Sequence, residues 1–222
     1  MIFAAGFGTR MGDLTRDKPK PLINVAGQAL IDHALTWVSG YGVETVVVNL
    51  HYKADMLRTY LVGRNILFSE ETPDILETGG GLKAALPMMG HGPVFTMNSD
   101  AVWSGPNPLH YLAERWDPNR MDALLLCVPP ANAIGHSGTG DFLINADGHL
   151  SRGPGEIYSG LQIIKSDKVA DVKKRVFSLN VVWDAALESG RVFGASYPGK
   201  WCDVGHPTGI ALAEEMLGTR HA

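Results

Sequence analysis

The sequence lacks a long apolar run, a strong charge excess and a cysteine framework. No stretch of eighteen apolar residues occurs, and no basic segment with a cleavage site opens the chain, so we expect neither a membrane span nor a secretory signal. A formal net charge of -4 argues against a nucleic-acid partner. The two cysteines are too few for a disulfide-stapled scaffold and indicate a reducing compartment. These absences favour a cytoplasmic protein.

Repeats and linkers are also missing, so one domain over residues 1–222 is the simplest organisation. Apolar strand-like segments alternate with helix-like segments over 1–128, which predicts an α/β fold with a Rossmann-like, mostly parallel sheet flanked by helices. After residue 128, two short strands joined through "NADG" and the strand "EIYSGLQII" predict a small antiparallel insertion. The first strand starts directly at Met1, and whether the native N-terminus is longer stays open on the sequence.

A glycine-rich loop, "GFGTRMG" at residues 6–12, follows the first predicted strand. Glycine has no Cβ, so a ligand can approach such a loop closely. The loop fits neither common phosphate-binding motif, because Met11 stands where a dinucleotide fingerprint needs glycine and Asp13 stands where a Walker A loop needs lysine. The pattern therefore predicts an anion site of another kind.

Two cations accompany this loop. Arg10 lies within it, and Lys20 stands between Pro19 and Pro21, whose fixed φ angles stiffen the backbone beside the lysine. A guanidinium fork and an ammonium point charge together suit a triphosphate. The alternative is a surface loop that carries two solvated cations.

Two aspartates in distant segments are candidates for a metal site. Asp100 follows the strand-like "VFTMNS", where a parallel sheet binds its ligands, and Asp203 lies in "WCDVG". Carboxylates are ligands that Mg²⁺ prefers, but each aspartate alone is equally typical of a helix cap.

Taken together, these motifs resemble the sugar-1-phosphate nucleotidyltransferase family over the whole chain. The resemblance implies an enzyme that joins a nucleoside triphosphate to a sugar 1-phosphate, with Mg²⁺, and releases pyrophosphate. It makes residues 1–128 the nucleotide-binding half, and 129–222 the sugar-binding insertion plus the second metal-ligand segment. The motifs occur in this order: "FAAGFGTRMGDLT", "KPKPL", "LETGGG" at 76–81, "MNSD" at 97–100, "GDF" at 140–142, "YSG" at 158–160 and "WCDVG" at 201–205.

The resemblance also implies roles for individual residues. Arg10 would neutralise the leaving phosphates, Lys20 would bridge the reacting phosphates, and Asp100 and Asp203 would hold the metal; Ser99 departs from the family pattern, in which glycine is common. "LETGGG" precedes a helix-like segment, so its amides would lie at a helix N-terminus and read the base. The nucleotide-binding candidates are Ala5, Gly6, Gly8, Thr9, Glu77, Thr78, Gly79 and Asn98. The sugar-binding candidates are Asp141, Glu156, Tyr158, Gly160 and Asn180.

Two other functions stay open on the sequence. A cytidylyltransferase acting on phosphocholine or a polyol phosphate would share the loop and "KPKPL", and an aromatic cage for choline would distinguish it. A catalytically silent regulatory subunit would have lost some of Arg10, Lys20, Asp100 and Asp203, and all four are present. A monomer or a small homo-oligomer is expected.

Overall fold

The central feature of the structure, a computed structural model that describes residues 1–218, is a seven-stranded sheet with helices on both faces. The strands are β1 (Ile2–Phe3), β2 (Asn24–Val25), β3 (Gln28–Ala29), β4 (Val47–Leu50), β5 (Leu67–Glu70), β6 (Pro93–Asn98), β7 (Ala101–Ser104), β8 (Ala123–Val128), β9 (Ala133–Ile134), β10 (Phe142–Ile144), β11 (Leu150–Arg152), β12 (Ile157–Lys165), β13 (Val192–Ser196) and β14 (Lys200–Asp203). The helices are α1 (Leu30–Tyr41), α2 (Ala54–Leu61), α3 (Glu77–Met89), α4 (Pro108–Ala113), α5 (Ser166–Ala170), α6 (Asn180–Glu188) and α7 (Thr208–Met216).

The strand order of the main sheet is β13-β8-β12-β6-β1-β4-β5, and every neighbouring pair is parallel except the two that involve β12. The predicted fold class, a mostly parallel sheet flanked by helices, is confirmed. The strand "EIYSGLQII" differs from expectation, because β12 lies inside the main sheet and not in the insertion. The residues of β12 after Gly160 form a buried run, so the strand fits between two neighbours in the interior of the sheet. In its pairing with β6, Leu161 is opposite Met97 and Ile163 is opposite Phe95.

Two smaller units lie beside the main sheet. β10 and β11 form the predicted antiparallel hairpin, in which Phe142 faces Arg152. β7, β14 and β9 form a three-stranded sheet that the sequence analysis did not predict, and it joins segments from three distant parts of the chain. This small sheet brings Asp203 beside the segment that follows β6.

Alternation along β8 explains how the sheet is buried on both faces. Leu124 and Leu126 contact the core under α1, α2 and α4, whereas Leu125 and Cys127 contact the core under α3, α5 and α6. Successive side chains of a strand point to opposite faces, so a continuous apolar run suits a sheet covered on both sides. Within residues 1–218, no helix combines the length and apolar character needed to cross a membrane.

A buried carboxylate joins the ends of β8, β12 and the edge strand β13. Asp122, at the start of β8, accepts hydrogen bonds at 2.9 Å from Lys165 Nζ and from Arg191 Nε. Burial raises the pKa of Asp122, but the hydrogen bonds from Lys165 and Arg191 outweigh it and hold the pKa below its usual range.

We expect Asp122→Asn to destabilise the protein at neutral pH by roughly 3 kcal/mol, because two partly buried cations lose their anion. A carboxyl whose pKa is lowered by folding stabilises the protein above its unfolded pKa and loses this contribution as the pH falls through its folded pKa. The difference in free energy of unfolding between wild type and variant should therefore shrink below about pH 4. Urea denaturation at pH 7 and pH 3.5 measures it, and an equal difference at both pH values would contradict the assignment.

Candidate active site

A cavity of about 290 Å³ opens at the carboxyl ends of β1, β4 and β6, where a parallel sheet is expected to bind ligands. Ten of the predicted residues line it: Ala5, Gly6, Gly8, Thr9, Arg10, Lys20, Glu77, Thr78, Asn98 and Asp100. Segments separated by up to ninety positions of sequence therefore meet at one place. We call this space the first cavity.

The glycine loop is shaped by two glycines with different surroundings. Gly8 has φ of 65°, and a Cβ there would lie 2.9 Å from both Lys20 Cβ and Thr15 Cγ2. A Cβ on Gly6 would meet no atom within 4 Å, because Gly6 borders the open cavity. Gly8 thus lets the loop pack onto the lysine segment, and Gly6 leaves the backbone open to a ligand.

Lys20 and Asp100 form an ion pair on the wall of the first cavity. The Nζ to Oδ2 distance is 2.7 Å, and only 10% of the Lys20 side chain is exposed. Pro19 is extended, and Lys20 starts the short 3₁₀ turn (Lys20–Leu22) that follows it. Together they direct the backbone past the glycine loop. Ser99, the departure from the family pattern, donates its hydroxyl hydrogen to Phe3 O at 2.6 Å and joins the ends of β6 and β1.

Asp203 lies next to Asp100 because β14 pairs with β7. Asp203 is opposite Ala101, and Val204 N donates to Asp100 O at 3.0 Å. Burial raises the pKa of the Asp203 carboxyl, and the negative charge of Asp100 raises it further, against the opposing charges of nearby cations. Added positive charge near the two carboxylates would relieve the part of this shift that is due to Asp100.

Arg10 lies close to Asp203 because residue 205 is a glycine. A Cβ on Gly205 would lie 2.8 Å from Asp203 Oδ2 and 3.0 Å from Arg10 Nη1, so glycine allows the arginine and the aspartate to approach each other. The geometry brings together the four charged residues that the sequence analysis selected. In the described residues, no group of three or more His, Cys, Asp or Glu side chains is arranged to hold a metal ion.

The floor of the first cavity contains two polar residues that the sequence analysis missed. Glu71 is 1% exposed and accepts hydrogen bonds from Asn49 Nδ2 at 2.7 Å and from Leu76 N at 2.6 Å. Asn49 Oδ1 in turn accepts from Ala4 N at 2.7 Å. Both residues lie at or just beyond the carboxyl ends of β4 and β5, and the rule on strand ends that selected Asp100 could have found them.

The glycines of "LETGGG" lie inside α3, which begins at Glu77, and not in a loop before it. Gly79 N and Gly80 N both donate to Phe177 O, at 2.9 and 3.0 Å. Thr78 lines the cavity and its Oγ1 accepts from Leu179 N at 3.0 Å. The Gly79 amide, a candidate for reading the base, is thus already paired, and this region packs against residues 175–179.

We expect Gly80→Ala to destabilise the protein, because the new Cβ would lie 2.3 Å from Arg175 O. The cost of about 1–3 kcal/mol for overpacking corresponds to a melting temperature several degrees lower. Gly6→Ala is the matched control, since its Cβ meets nothing within 4 Å and its melting temperature should stay unchanged. Differential scanning fluorimetry measures both, and an unchanged melting temperature for Gly80→Ala would overturn this packing account.

A second cavity of about 280 Å³ adjoins the first, and both are bordered by Phe3, Thr78 and Asn98. Three predicted sugar-binding residues line it: Asp141, Tyr158 and Asn180. Its wall also contains Arg152, Ser178 and Trp183, which the sequence analysis had not selected as ligand-binding. Asp184 and Asn180 of α6 accept hydrogen bonds from Arg152, which lies in a distant part of the sequence. No local pattern in the sequence could have predicted this contact.

The other two predicted sugar-binding residues lie outside that wall. Gly160 has φ of 85°, and a Cβ there would lie 2.6 Å from Asn98 Nδ2, so this glycine makes room for Asn98. Glu156 pairs with Phe142 through the main chain, and within residues 1–218 its buried Oε2 has no hydrogen-bond partner.

Tyr158 contributes its ring to the wall of the second cavity, and burial raises the pKa of its hydroxyl above the usual value. The ring packs edge-to-face on Trp183, with centroids 4.9 Å apart, and Trp183 Nε1 donates to Gln162 Oε1 at 2.8 Å. With Phe142, these rings form an aromatic wall on one side of the second cavity.

Comparison with known proteins places the chain among nucleotidyltransferases. A model of the MobA-like NTP transferase domain matches residues 1–143. The chain is 41% identical to N-acetylmuramate alpha-1-phosphate uridylyltransferase of Caulobacter vibrioides, over 98% of this chain and 96% of the relative. It is 30% identical to the enzyme of that name from Neisseria meningitidis serogroup B, over 98% and 97%.

Solved structures show the same fold. HddC from Yersinia pseudotuberculosis, complexed with GMP-PN, superposes with a TM-score of 0.79 at 22% identity and covers 97% of each chain. A putative glucose-1-phosphate thymidylyltransferase from Bacillus anthracis gives a TM-score of 0.80 at 15% identity, covering 100% of this chain and 95% of the other. These identities are low, so the superpositions bear on the fold alone.

Proposed function

The chain belongs to the MobA-like NTP transferase family, and we propose that it transfers the uridylyl group of UTP to N-acetylmuramate 1-phosphate, giving a nucleotide sugar and pyrophosphate. Within the family, the ordered motifs most resemble the short N-acetylmuramate-1-phosphate uridylyltransferase type. The observation that carries the proposal is that two cavities of similar size share the wall formed by Phe3, Thr78 and Asn98. A nucleotide in one cavity and a sugar in the other would bring their phosphates together.

The reaction needs little from the protein beyond positioning and charge. An oxygen of the sugar 1-phosphate, already ionised near pH 7, attacks the α-phosphorus of UTP in line with departure of pyrophosphate. Arg10 and Lys20 border the first cavity, where they stabilise the negative charge that gathers on the phosphates. No general base is required.

Asp100 and Asp203 fit Mg²⁺ as a bound cofactor. Two hard carboxylates beside each other leave most positions of an octahedron for water and substrate phosphates, which is how proteins usually hold this ion. Burial raises the pKa of Asp203 most, and the negative charge of Asp100 raises it further; added positive charge beside the two carboxylates would offset the second effect. When bound, the ion would supply charge neutralisation at the transferred phosphate.

We propose a cytoplasmic location and a monomer or small homo-oligomer. Cys127 and Cys202 are both buried as free thiols, which suits a reducing compartment.

The second candidate function is a cytidylyltransferase acting on phosphocholine. Trp183 adds a third ring to those of Phe142 and Tyr158, and such aromatic walls suit quaternary ammonium groups. Arg152 opposes this reading, because it brings a positive charge to the same cavity.

The test is pyrophosphate release by the purified protein with Mg²⁺, across the four ribonucleoside triphosphates and dTTP. Each is paired with N-acetylmuramate 1-phosphate, N-acetylglucosamine 1-phosphate, glucose 1-phosphate, phosphocholine and inositol phosphate. We expect the highest rate with UTP and N-acetylmuramate 1-phosphate. A preference for CTP and phosphocholine would replace the proposal with the second candidate, and no release from a protein that binds UTP would favour the regulatory subunit.

A further inference from the structure

Resting on the proposed function, we propose that Arg152 binds a carboxylate on the acceptor sugar and so selects acidic sugar 1-phosphates over neutral ones. N-acetylmuramate differs from N-acetylglucosamine by a lactyl ether that carries a carboxylate. A single residue that recognises this group would therefore separate two acceptors that share the same ring and phosphate.

The guanidinium of Arg152 is held by one helix and keeps donors free. Arg152 Nη2 donates to Asp184 Oδ1 and to Asn180 Oδ1, both at 2.7 Å, and Nε donates to Asp184 Oδ1 at 3.2 Å. In the described part of the chain, Nη1 donates to no acceptor, which leaves two N–H groups of the fork for a ligand. Asn180 and Asp184 lie one turn apart on α6, so they fix the orientation of the arginine.

Aromatic rings hold the same guanidinium from another side. Its central carbon lies 5.1 Å from the centroid of Phe142 and 6.0 Å from that of Trp183. These ring contacts and the hydrogen bonds to α6 limit the side chain to few conformations, so little entropy is lost when it binds a ligand. Arg152 is 43% exposed, which leaves it accessible to a carboxylate that enters the second cavity.

Arg152 is the one cation among the described residues that line the second cavity. Among the residues that line it, only Arg152 and Asp141 are charged, and Asp141 Oδ2 accepts from Tyr158 N at 2.9 Å. The sugar phosphate belongs at the wall shared with the first cavity, where Lys20 and Arg10 lie. Arg152 borders only the second cavity, so the anion that it would bind is a second group on the sugar.

The experiment compares kcat/KM for N-acetylmuramate 1-phosphate and N-acetylglucosamine 1-phosphate at saturating UTP. In Arg152→Gln, the ratio of the two values should fall roughly 10- to 100-fold, mainly through KM for the acidic sugar, as expected for loss of a charged hydrogen bond. Arg152→Lys should fall in between, since it keeps the charge without the fork.

Asp184→Asn is the matched control. It removes the competing negative charge but keeps an Oδ1 acceptor that can still orient the guanidinium, so the ratio should not fall. If Arg152 only attached β11 to α6, Arg152→Gln and Asp184→Asn would both lower the melting temperature and change both acceptors alike. An unchanged ratio in Arg152→Gln overturns the inference.

The failure of the proposed function would look different. If wild type releases no pyrophosphate with any acceptor, the proposed reaction is wrong, and calorimetric titration of N-acetylmuramate 1-phosphate then tests the inference by itself. Weaker binding to Arg152→Gln than to wild type supports it, and equal affinity overturns it.

Discussion

Asp203→Asn is expected to lower pyrophosphate release by roughly 10³-fold, because loss of a metal-holding carboxylate removes several kcal/mol of charge stabilisation in the transition state. The same change should leave the melting temperature unchanged or raise it. Burial and the neighbouring Asp100 raise the pKa of Asp203, and a carboxyl whose pKa is raised by folding costs stability when it is charged at neutral pH. Steady-state kinetics and thermal denaturation at pH 7 measure the two effects.

Asp100→Asn separates catalysis from stability in another way. It should be equally inactive, but it also leaves the buried Lys20 ammonium without the partner 2.7 Å away, so its melting temperature should lie below that of Asp203→Asn. The exposed Asp147→Asn in the β10-β11 turn is the control for loss of an aspartate. Turnover within tenfold of wild type in either active-site variant would contradict the metal assignment.

Lys20→Met is expected to lower kcat by roughly 10²–10³-fold, the usual cost of removing one preorganised donor from a developing charge. Lys20 is largely buried and packed under Gly8, so its ammonium has a fixed position beside Asp100 and the first cavity. Stopped-flow measurement of pyrophosphate release at saturating substrates isolates kcat from binding.

The control in the same segment is Lys18→Met, since Lys18 is more exposed than Lys20 and lies outside the wall of the first cavity. Its kcat should match wild type. Equal losses in the two variants would indicate a general effect of charge on the segment, and the specific role of Lys20 would then be rejected.

Local patterns were sufficient for much of the fold. The apolar run of β8 and the alternation of strand-like and helix-like segments predicted a mostly parallel sheet, because both faces of such a sheet are buried. β12 was assigned to the insertion because its neighbours in sequence lie there. Its pairing with β6 and β8 depends on residues 29 or more positions away, and no local pattern carries that information.

In the site, too, some residues could be predicted from local sequence and others could not. The glycine loop, Lys20 and Asp100 could be predicted from local sequence. Glycines mark a backbone that a ligand can approach, and a charged residue at the end of a predicted parallel strand marks the place where such sheets bind ligands. The approach of Arg10 to Asp203 depends on the space at Gly205. The position of Arg152 depends on α6, and the use of the Gly79 amide depends on Phe177, which lies about a hundred residues further along the chain.

The most direct test of the account is a crystal structure of the protein with UDP-N-acetylmuramate and Mg²⁺. The account predicts uridine in the first cavity, the sugar in the second, and the diphosphate beside the wall of Phe3, Thr78 and Asn98 that they share. Lys20 should contact the phosphates, and the ion should lie between Asp100 and Asp203. A nucleotide bound elsewhere, or a sugar outside the second cavity, would contradict the central claim that the two cavities form one active site.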